Sequence, residues 1–350
     1  MKFVQTINYL QMGGAEALLL LEAEELIRRG HSVEVIALEP GNEKMEKRYL
    51  DRGIYFRILK KPRYRSLFEY LVIVKNIKPD VIHTHLYPAM LYGAIAKVLG
   101  FTERLIHTEH NTTNNRRKWY LWPLDFLLYI PSNFVICISE GVRKATVRWN
   151  PSLARRKAMV IDNAISPSKR LPLNYIKNSP FKLVTVGRLV EDKNIALQID
   201  LLARIEGLTL DIIGDGHLLI ELKRLAEYLG VSNRVRFLGV LADLKDVYSQ
   251  YDAYIHTATL EGFGLVVAES MSAGLPVIVP VIPGVSEVAG NAGLFFQSNN
   301  IEDLERVVRK LLVQNEDSLK QQHEISVAQS KKFLIEEHVD KLLEAYTKAA

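Results

Sequence analysis

Six short β-rich apolar runs, separated by segments of helical period, fill the first half of this chain, and after a proline-rich stretch the same alternation begins again. The first set reads "KFVQTI", "SVEVIAL", "DVIHTHL", "RLIHTEH", "FVICIS" and "AMVIDN"; the second reads "FKLVTVG", "LTLDIIG", "RVRFLG", "DAYIHTA", "PVIVPV" and "GLFF". Helices fit between them, most clearly from Gly14 to Gly30, where a glycine stands in the expected closing position. Such alternation predicts an α/β protein whose parallel sheets are covered on both faces. The break "AISPSKRLPLNYIKNSP" has three prolines and little periodicity. It predicts two Rossmann-like domains, residues 1–165 and 181–332, joined by a linker at 166–180 and facing each other across a central cleft. The tail from Ile301 reads as two amphipathic helices, the last at about Ile335 to Lys348, with 333–350 expected to pack back on the N-terminal domain.

Composition narrows the function. At 350 residues the chain is long for one core, and its 48% hydrophobic and 24% charged residues belong to an ordinary globular protein. No segment approaches the roughly 20 apolar residues of a membrane span. The N-terminus reads as a first strand rather than a signal peptide, which places the expected location in the cytoplasm. The single cysteine, Cys137, lies in an apolar run, so an internal disulfide is impossible and a buried thiol is the plain reading. The net charge of +5 hides an asymmetry: residues 1–160 carry 25 Lys and Arg against 15 Asp and Glu, leaving 20 against 25 for the rest. A basic first half suits an anionic surface or acceptor, or is a solvated face of scattered lysines.

Ligands of open parallel sheets bind at the C-terminal strand ends, and several loops there carry glycines or cations. Gly13 and Gly14 stand before a helix, where backbone N–H groups meet an anion or a tight turn needs positive φ. Gly187 and Arg188 end a strand, and Lys193 opens the next helix. At an effective dielectric of about 20, each close phosphate contact of such a cation is worth roughly 4 kcal/mol before desolvation. Gly214 and Gly216 allow a ligand or a neighbouring loop to approach closely, and "FLG" before Val240 ends another strand. The stretch "EGFGLVVAE" puts Glu261 in a glycine-flanked turn with Gly262, Phe263 and Gly264, and Glu269 within the helix opening near Gly264. The spacing matches neither the dinucleotide-binding fingerprint nor a Walker loop, which disfavours a nicotinamide cofactor and phosphoryl transfer.

Taken in order, "GGAE", "GRLVEDKN", "GDG", "FLG" and "EGFGLVVAE" resemble the retaining nucleotide-sugar glycosyltransferases of family 4, and the match covers nearly the whole chain. The resemblance implies the GT-B fold. It also implies diphosphate binding by Arg188 and Lys193, a sugar-facing Glu261 and a ribose-binding Glu269. Donor contacts are implied at Gly13, Gly14, Gly187, Gly214, Gly216, Val240, Gly262, Phe263, Gly264 and Leu265, with His110 as the active-site histidine. Positive potential around the leaving diphosphate is the main catalytic need of such a reaction. Front-face displacement with retention is the family's proposed course, and double displacement through Glu261 stays open. The chain departs from the common pattern at His256, Thr257 and Ala258, where many members have Pro-Ser, and at Pro283 to Glu287, positions that bear on base and sugar contacts.

"HTHL" and "HTEHN" bring His83, His85, His107 and His110 to neighbouring strand ends, as a metal site or a polar cleft wall. The family resemblance implies no catalytic metal and no cofactor beyond the nucleotide-sugar co-substrate, a UDP-sugar or a GDP-sugar. The acceptor implied is a glycan or a polyprenyl or other lipid-linked molecule, in building a surface polysaccharide. "LKKPRYRSLFEY" and "NNRRKWYLWPLDFLLYI" mix cations with aromatics, which suits peripheral contact with an anionic membrane at its inner face or a solvated loop beside a core helix. No nucleic-acid motif is present. The competing readings are a nucleotide-sugar epimerase of the same architecture and an inactive nucleotide-sugar-binding scaffold.

Overall fold

The apolar runs form strands in the computed structural model, which describes residues 1–11, 13–60, 66–111, 118–153, 157–171, 177–241 and 244–348. Among these residues the chain divides into two units, Met1–Ala164 with Ile335–Ala350, and Ile165–Leu334.

The first unit holds β1 (Lys2–Ile7), β2 (Ser32–Ala37), β3 (Phe56–Ile58), β4 (Val81–His85), β5 (Arg104–Glu109), β6 (Phe134–Cys137) and β7 (Ala158–Val160). They pair in the order β3-β2-β1-β4-β5-β6-β7, all parallel. Six of these strands are legible as apolar runs. The seventh, β3, escapes notice because it is a three-residue edge strand with no continuous apolar run. The helix Gly14–Arg28 buries Leu18, Leu19, Ala23 and Leu26 against one sheet face. Met45, Tyr49 and the C-terminal helix Ile335–Lys348, through Val339, Leu342, Ala345 and Tyr346, complete that core. A second layer formed by Tyr70, Val74, Ala89, Tyr92 and Ala96 covers the opposite face. Cys137 is buried and free.

The second unit holds β8 (Phe181–Val186), β9 (Leu208–Ile213), β10 (Val235–Gly239), β11 (Ala253–Ile255), β12 (Val277–Pro280) and β13 (Gly293–Phe296). Their order is β10-β9-β8-β11-β12-β13, again all parallel. Ile199, Leu201, Leu202, Leu304, Val308 and Leu311 pack helices onto this sheet. The described part of the proline-rich stretch is bonded within this unit. Lys169 N–H donates to Lys245 O at 2.8 Å and Leu171 N–H to Ala273 O at 2.9 Å. The tail from Ile301 contains three helices rather than two: Ile301–Leu312, Glu316–Ser330 and Ile335–Lys348. The middle one escapes sequence reading because its polar residues are spread around its circumference.

In each sheet the strand order reverses beside the first strand, between β1 and β4 and between β8 and β11. Loops leaving two adjacent strands in opposite directions open a crevice at such a switch point.

Candidate active site

In the second unit, the candidate residues leave the two strands that flank the switch point. Gly187, Arg188 and Lys193 follow β8, while His256, Glu261, Gly262, Phe263 and Gly264 follow β11. The two loops are tied together by side-chain and backbone hydrogen bonds. Thr257 Oγ1 donates to Lys193 O or Asn194 O, at 3.0 and 2.9 Å, and accepts from Gln198 Nε2 at 2.8 Å. Thr259 N–H donates to Asp192 O at 2.9 Å. The stem of Lys193 runs over Gly187, whose missing Cβ would sit 3.8–3.9 Å from its Cγ, Cδ and Cε. The ammonium at its end forms a salt bridge with the Glu261 carboxylate.

That pair sets the electrostatics. Burial alone would raise the Glu261 carboxyl, but the Lys193 charge and hydrogen bond overcome it and hold the group below its ordinary range. Glu261 also accepts from Gly262 N–H at 3.1 Å. Gly264, at φ +89°, turns the chain into the helix Leu265–Ser272, and a Cβ on it would sit 3.7 Å from Glu261 Cγ. Glu269, in the second turn of that helix, accepts from the buried Tyr248 hydroxyl at 3.2 Å. Arg188 is exposed and has no acid partner among the described residues, so its guanidinium is available to a ligand. Phe263 is core material, its ring packed edge-on against Phe333 with centroids 5.4 Å apart. Leu265 is half-buried at the helix start, and Val240 is exposed after β10.

Gly214 and Gly216 serve a neighbouring loop. A Cβ on Gly214, at φ +141°, would lie 1.9 Å from Gly187 O, and one on Gly216 would lie 2.3 Å from Leu189 O. These glycines press the loop after β9 against the loop after β8, fixing the backbone from which Arg188 and Lys193 project.

In the first unit, Gly13 precedes the helix Gly14–Arg28 at φ −138°, so the expectation of a positive-φ turn there is not met. The Glu16 side chain lies over Gly13, so that a Cβ there would sit 2.5 Å from Glu16 Oε2 and displace the carboxylate. Burial pushes the Glu16 carboxyl up to about 7. An anion approaching Gly13 and Gly14 therefore meets an acid lying over the glycine, and a protonated Glu16 admits it more readily than an ionised one.

The histidines of β4 and β5 are buried rather than lining an open wall. His83 bonds Thr108 Oγ1 at 2.7 Å and Tyr346 Oη at 2.8 Å, while His85 Nδ1 bonds His110 Nε2 at 3.1 Å. His107 Nδ1 points to the other face, toward Thr84 Oγ1 at 2.9 Å. Burial lowers the His110 ring to about 3, which keeps it neutral. Glu22, His83 and His85 bring ligand atoms within 4.8 Å of one another and could hold a cation. Both Glu22 oxygens already accept, from Gln5 Nε2 at 2.9 Å and from the His338 ring at 3.0 Å. His85 Nε2 alone in that trio lacks a hydrogen-bond partner.

Lys61, Arg63, Arg65, Arg116 and Arg117 of the two cation–aromatic stretches lie outside the described residues. The turn and helix that follow Arg117, Trp119–Leu121 and Trp122–Tyr129, expose Trp119 (84%), Tyr120, Leu124 and Leu127. No described helix is long and apolar enough to cross a membrane.

Tyr248, which holds Glu269, and Glu22, which gathers the histidines, are not legible as site residues in the sequence. Tyr248 sits among other tyrosines in a short loop and Glu22 in an acidic helix face, with no spacing signal to mark either.

Residues 12–169 match the family model described as Glycosyltransferase Family 4, and residues 173–332 match Glycosyl transferases group 1. The chain is 24% identical over 336 residues to the phosphatidylinositol N-acetylglucosaminyltransferase GPI3 subunit of Saccharomyces cerevisiae, covering 87% of this chain and 73% of that protein. It is 29% identical to a human phosphatidylinositol N-acetylglucosaminyltransferase component, covering 81% of this chain but only 62% of the human protein. The crystal structure of Anabaena Alr3699/HepE in complex with UDP has the same fold. It superposes with a TM-score of 0.84 at 20% identity and covers 99% of this chain and 100% of that one.

Proposed function

Because the chain belongs to the family 4 glycosyltransferases of GT-B architecture, we propose that it moves a sugar, with retention, from a UDP-sugar to a lipid-linked or glycan acceptor. The observation that carries this reading is the Lys193–Glu261 pair beside the helix start at Gly264, at the switch point of the second sheet. Lys193 and the unpaired Arg188 supply positive charge to the diphosphate, and the helix N-terminus adds backbone donors. As charge grows on the departing phosphate, these groups stabilise it without needing to reorganise. Glu261 accepts from hydroxyls of the transferred sugar. Glu269 leans toward the N-terminus of its helix and reaches the ribose hydroxyls, its carboxylate oriented by Tyr248. The neutral His110 serves as a hydrogen-bonding group near the sugar rather than as a charge.

Lewis-acid help is unnecessary in this scheme, since protein cations and backbone N–H groups neutralise the leaving group. The UDP-bound neighbour supports uracil as the base, and the phosphatidylinositol-glycosylating relatives support a lipid acceptor. Exposed Trp119, Tyr120, Leu124 and Leu127 support contact with a membrane surface, on the cytoplasmic side where nucleotide sugars are made. A role in surface-polysaccharide assembly is the cellular setting proposed.

The test is incubation with a panel of UDP- and GDP-sugars, with and without phosphatidylinositol and polyprenyl-phosphate acceptors, following nucleotide release and the anomeric configuration of the product. Retained glycosylated lipid is expected from one donor, and Lys193→Ala should lower turnover at least about tenfold while the fold still melts cooperatively. An epimerised free nucleotide sugar, or no nucleotide release from any donor, would overturn the reading.

A further inference from the structure

His256 lies at the end of β11, 3% exposed, in the loop that leads to Glu261. Its Nε2 has no hydrogen-bond partner and faces the Glu261 carboxylate at 3.9 Å, beyond bonding distance. Its Nδ1 lies 3.4 Å from the Tyr254 hydroxyl, whose one hydrogen goes either to that nitrogen or to Val186 O, also at 3.4 Å. Burial brings the ring down to about 4, with Glu261 only partly opposing, so the imidazole is neutral and carries one hydrogen. On Nδ1 that hydrogen would leave a lone pair aimed at an anion; on Nε2 it aims a donor there. The favoured tautomer therefore holds an N–H toward Glu261 and leaves it unused.

A buried donor left unused costs free energy, and its position next to an ion pair gives it a use. Lys193 has two claims on it if it binds the donor diphosphate, the reading on which this inference rests. As the ammonium moves toward the phosphates, the Glu261 carboxylate loses its counter-charge while a second anion arrives nearby. A small rotation of the Glu261 side chain then brings Oε2 into bonding range of His256 Nε2–H.

We propose that His256 is a positioning residue of the donor site, the reserve hydrogen-bond donor that takes over the Glu261 carboxylate when Lys193 turns to the diphosphate. It keeps Glu261 ionised, aimed and compensated in the donor-bound state. The tie from Tyr254 fixes the ring so that Nε2, rather than Nδ1, faces the carboxylate.

Calorimetric titration of the full chain with UDP tests this. His256→Phe keeps a flat ring but removes the donor, and should weaken UDP binding about tenfold. His256→Gln, whose amide nitrogen stands where Nε2 stood, should restore affinity to within about twofold of the original protein. In a Glu261→Gln background there is no charge to take over, so adding His256→Phe should change nothing further. Should His256→Phe not fold, His256→Asn replaces it with the same expected loss, its amide reaching the Tyr254 side of the ring but not Glu261. Unchanged UDP affinity in the variant lacking the donor, or an equal loss in the Glu261→Gln background, overturns the proposal. Lys193→Ala separates the two levels. If it weakens UDP binding while His256→Phe does not, only the His256 role fails; if it leaves UDP binding unchanged, the diphosphate reading of Lys193 fails and this inference with it.

Discussion

Lys193 and Glu261 bind each other across two loops, and that contact makes two opposite demands on one lysine. A diphosphate must compete with a carboxylate already in place, so Glu261 lowers donor affinity even as it serves the sugar. Glu261→Gln should therefore bind UDP somewhat more tightly, by about threefold to tenfold, while kcat for transfer falls at least about tenfold. Parallel titration and steady-state kinetics check this; a variant that loses UDP affinity would show that the carboxylate helps to place Lys193 rather than competing for it. Both residues are legible in the sequence because glycines and their order along the chain mark them. The partners that hold them are not. Tyr248 on Glu269 and His256 beside Glu261 occur where aromatic rings most often serve as core, and only the fold shows which polar edge they present.

At the scale of elements, the loops after β8 and β9 are one construction. Gly214 at φ +141° and its approach to Gly187 O leave no room for a side chain. Gly214→Ala should destabilise the second unit by about 2–4 kcal/mol and displace the Gly187–Arg188 backbone, since both the left-handed conformation and the clash oppose it. Urea unfolding measures the first effect and loss of UDP affinity the second; a variant of unchanged stability would remove this account of the loop. The sequence shows that the glycines permit close approach but not to what, because a ligand and a neighbouring backbone require the same missing Cβ. Elements are legible where apolar period and length agree, as in Gly14–Arg28. They are hidden where burial is slight, as in the edge strand β3, or where polar residues surround the helix, as in Glu316–Ser330.

Across the whole molecule, both units bury neutral histidines, and this couples stability to pH. His83, His85 and His110 in the first unit and His256 and His323 in the second are all lowered, with burial as the leading cause. A ring that cannot take a proton when folded but takes one near 6.5 when unfolded favours the unfolded chain as pH falls below that value. At pH 5.5 each of the His110, His256 and His323 rings costs about 1.4 kcal/mol, a loss that continues down to the folded-state pKa. Glu16 acts in the opposite sense. Its carboxyl, raised to about 7, is protonated in the folded unit well before the unfolded one, so it adds about 2 kcal/mol at pH 5.5 relative to pH 7.5. In the first unit Glu16 opposes the buried rings, while in the second His256 and His323 by themselves cost about 3 kcal/mol over that interval. Glu16→Gln removes the opposing contribution. Between pH 7.5 and 5.5 the variant should lose about 2 kcal/mol more than the original protein, all of it in the transition of the first unit. Urea unfolding at the two pH values, followed by probes in each unit, measures the difference. Parallel pH dependence of the two proteins would show that Glu16 is ionised throughout, and the acid over Gly13 would then repel an approaching phosphate at every pH in that range.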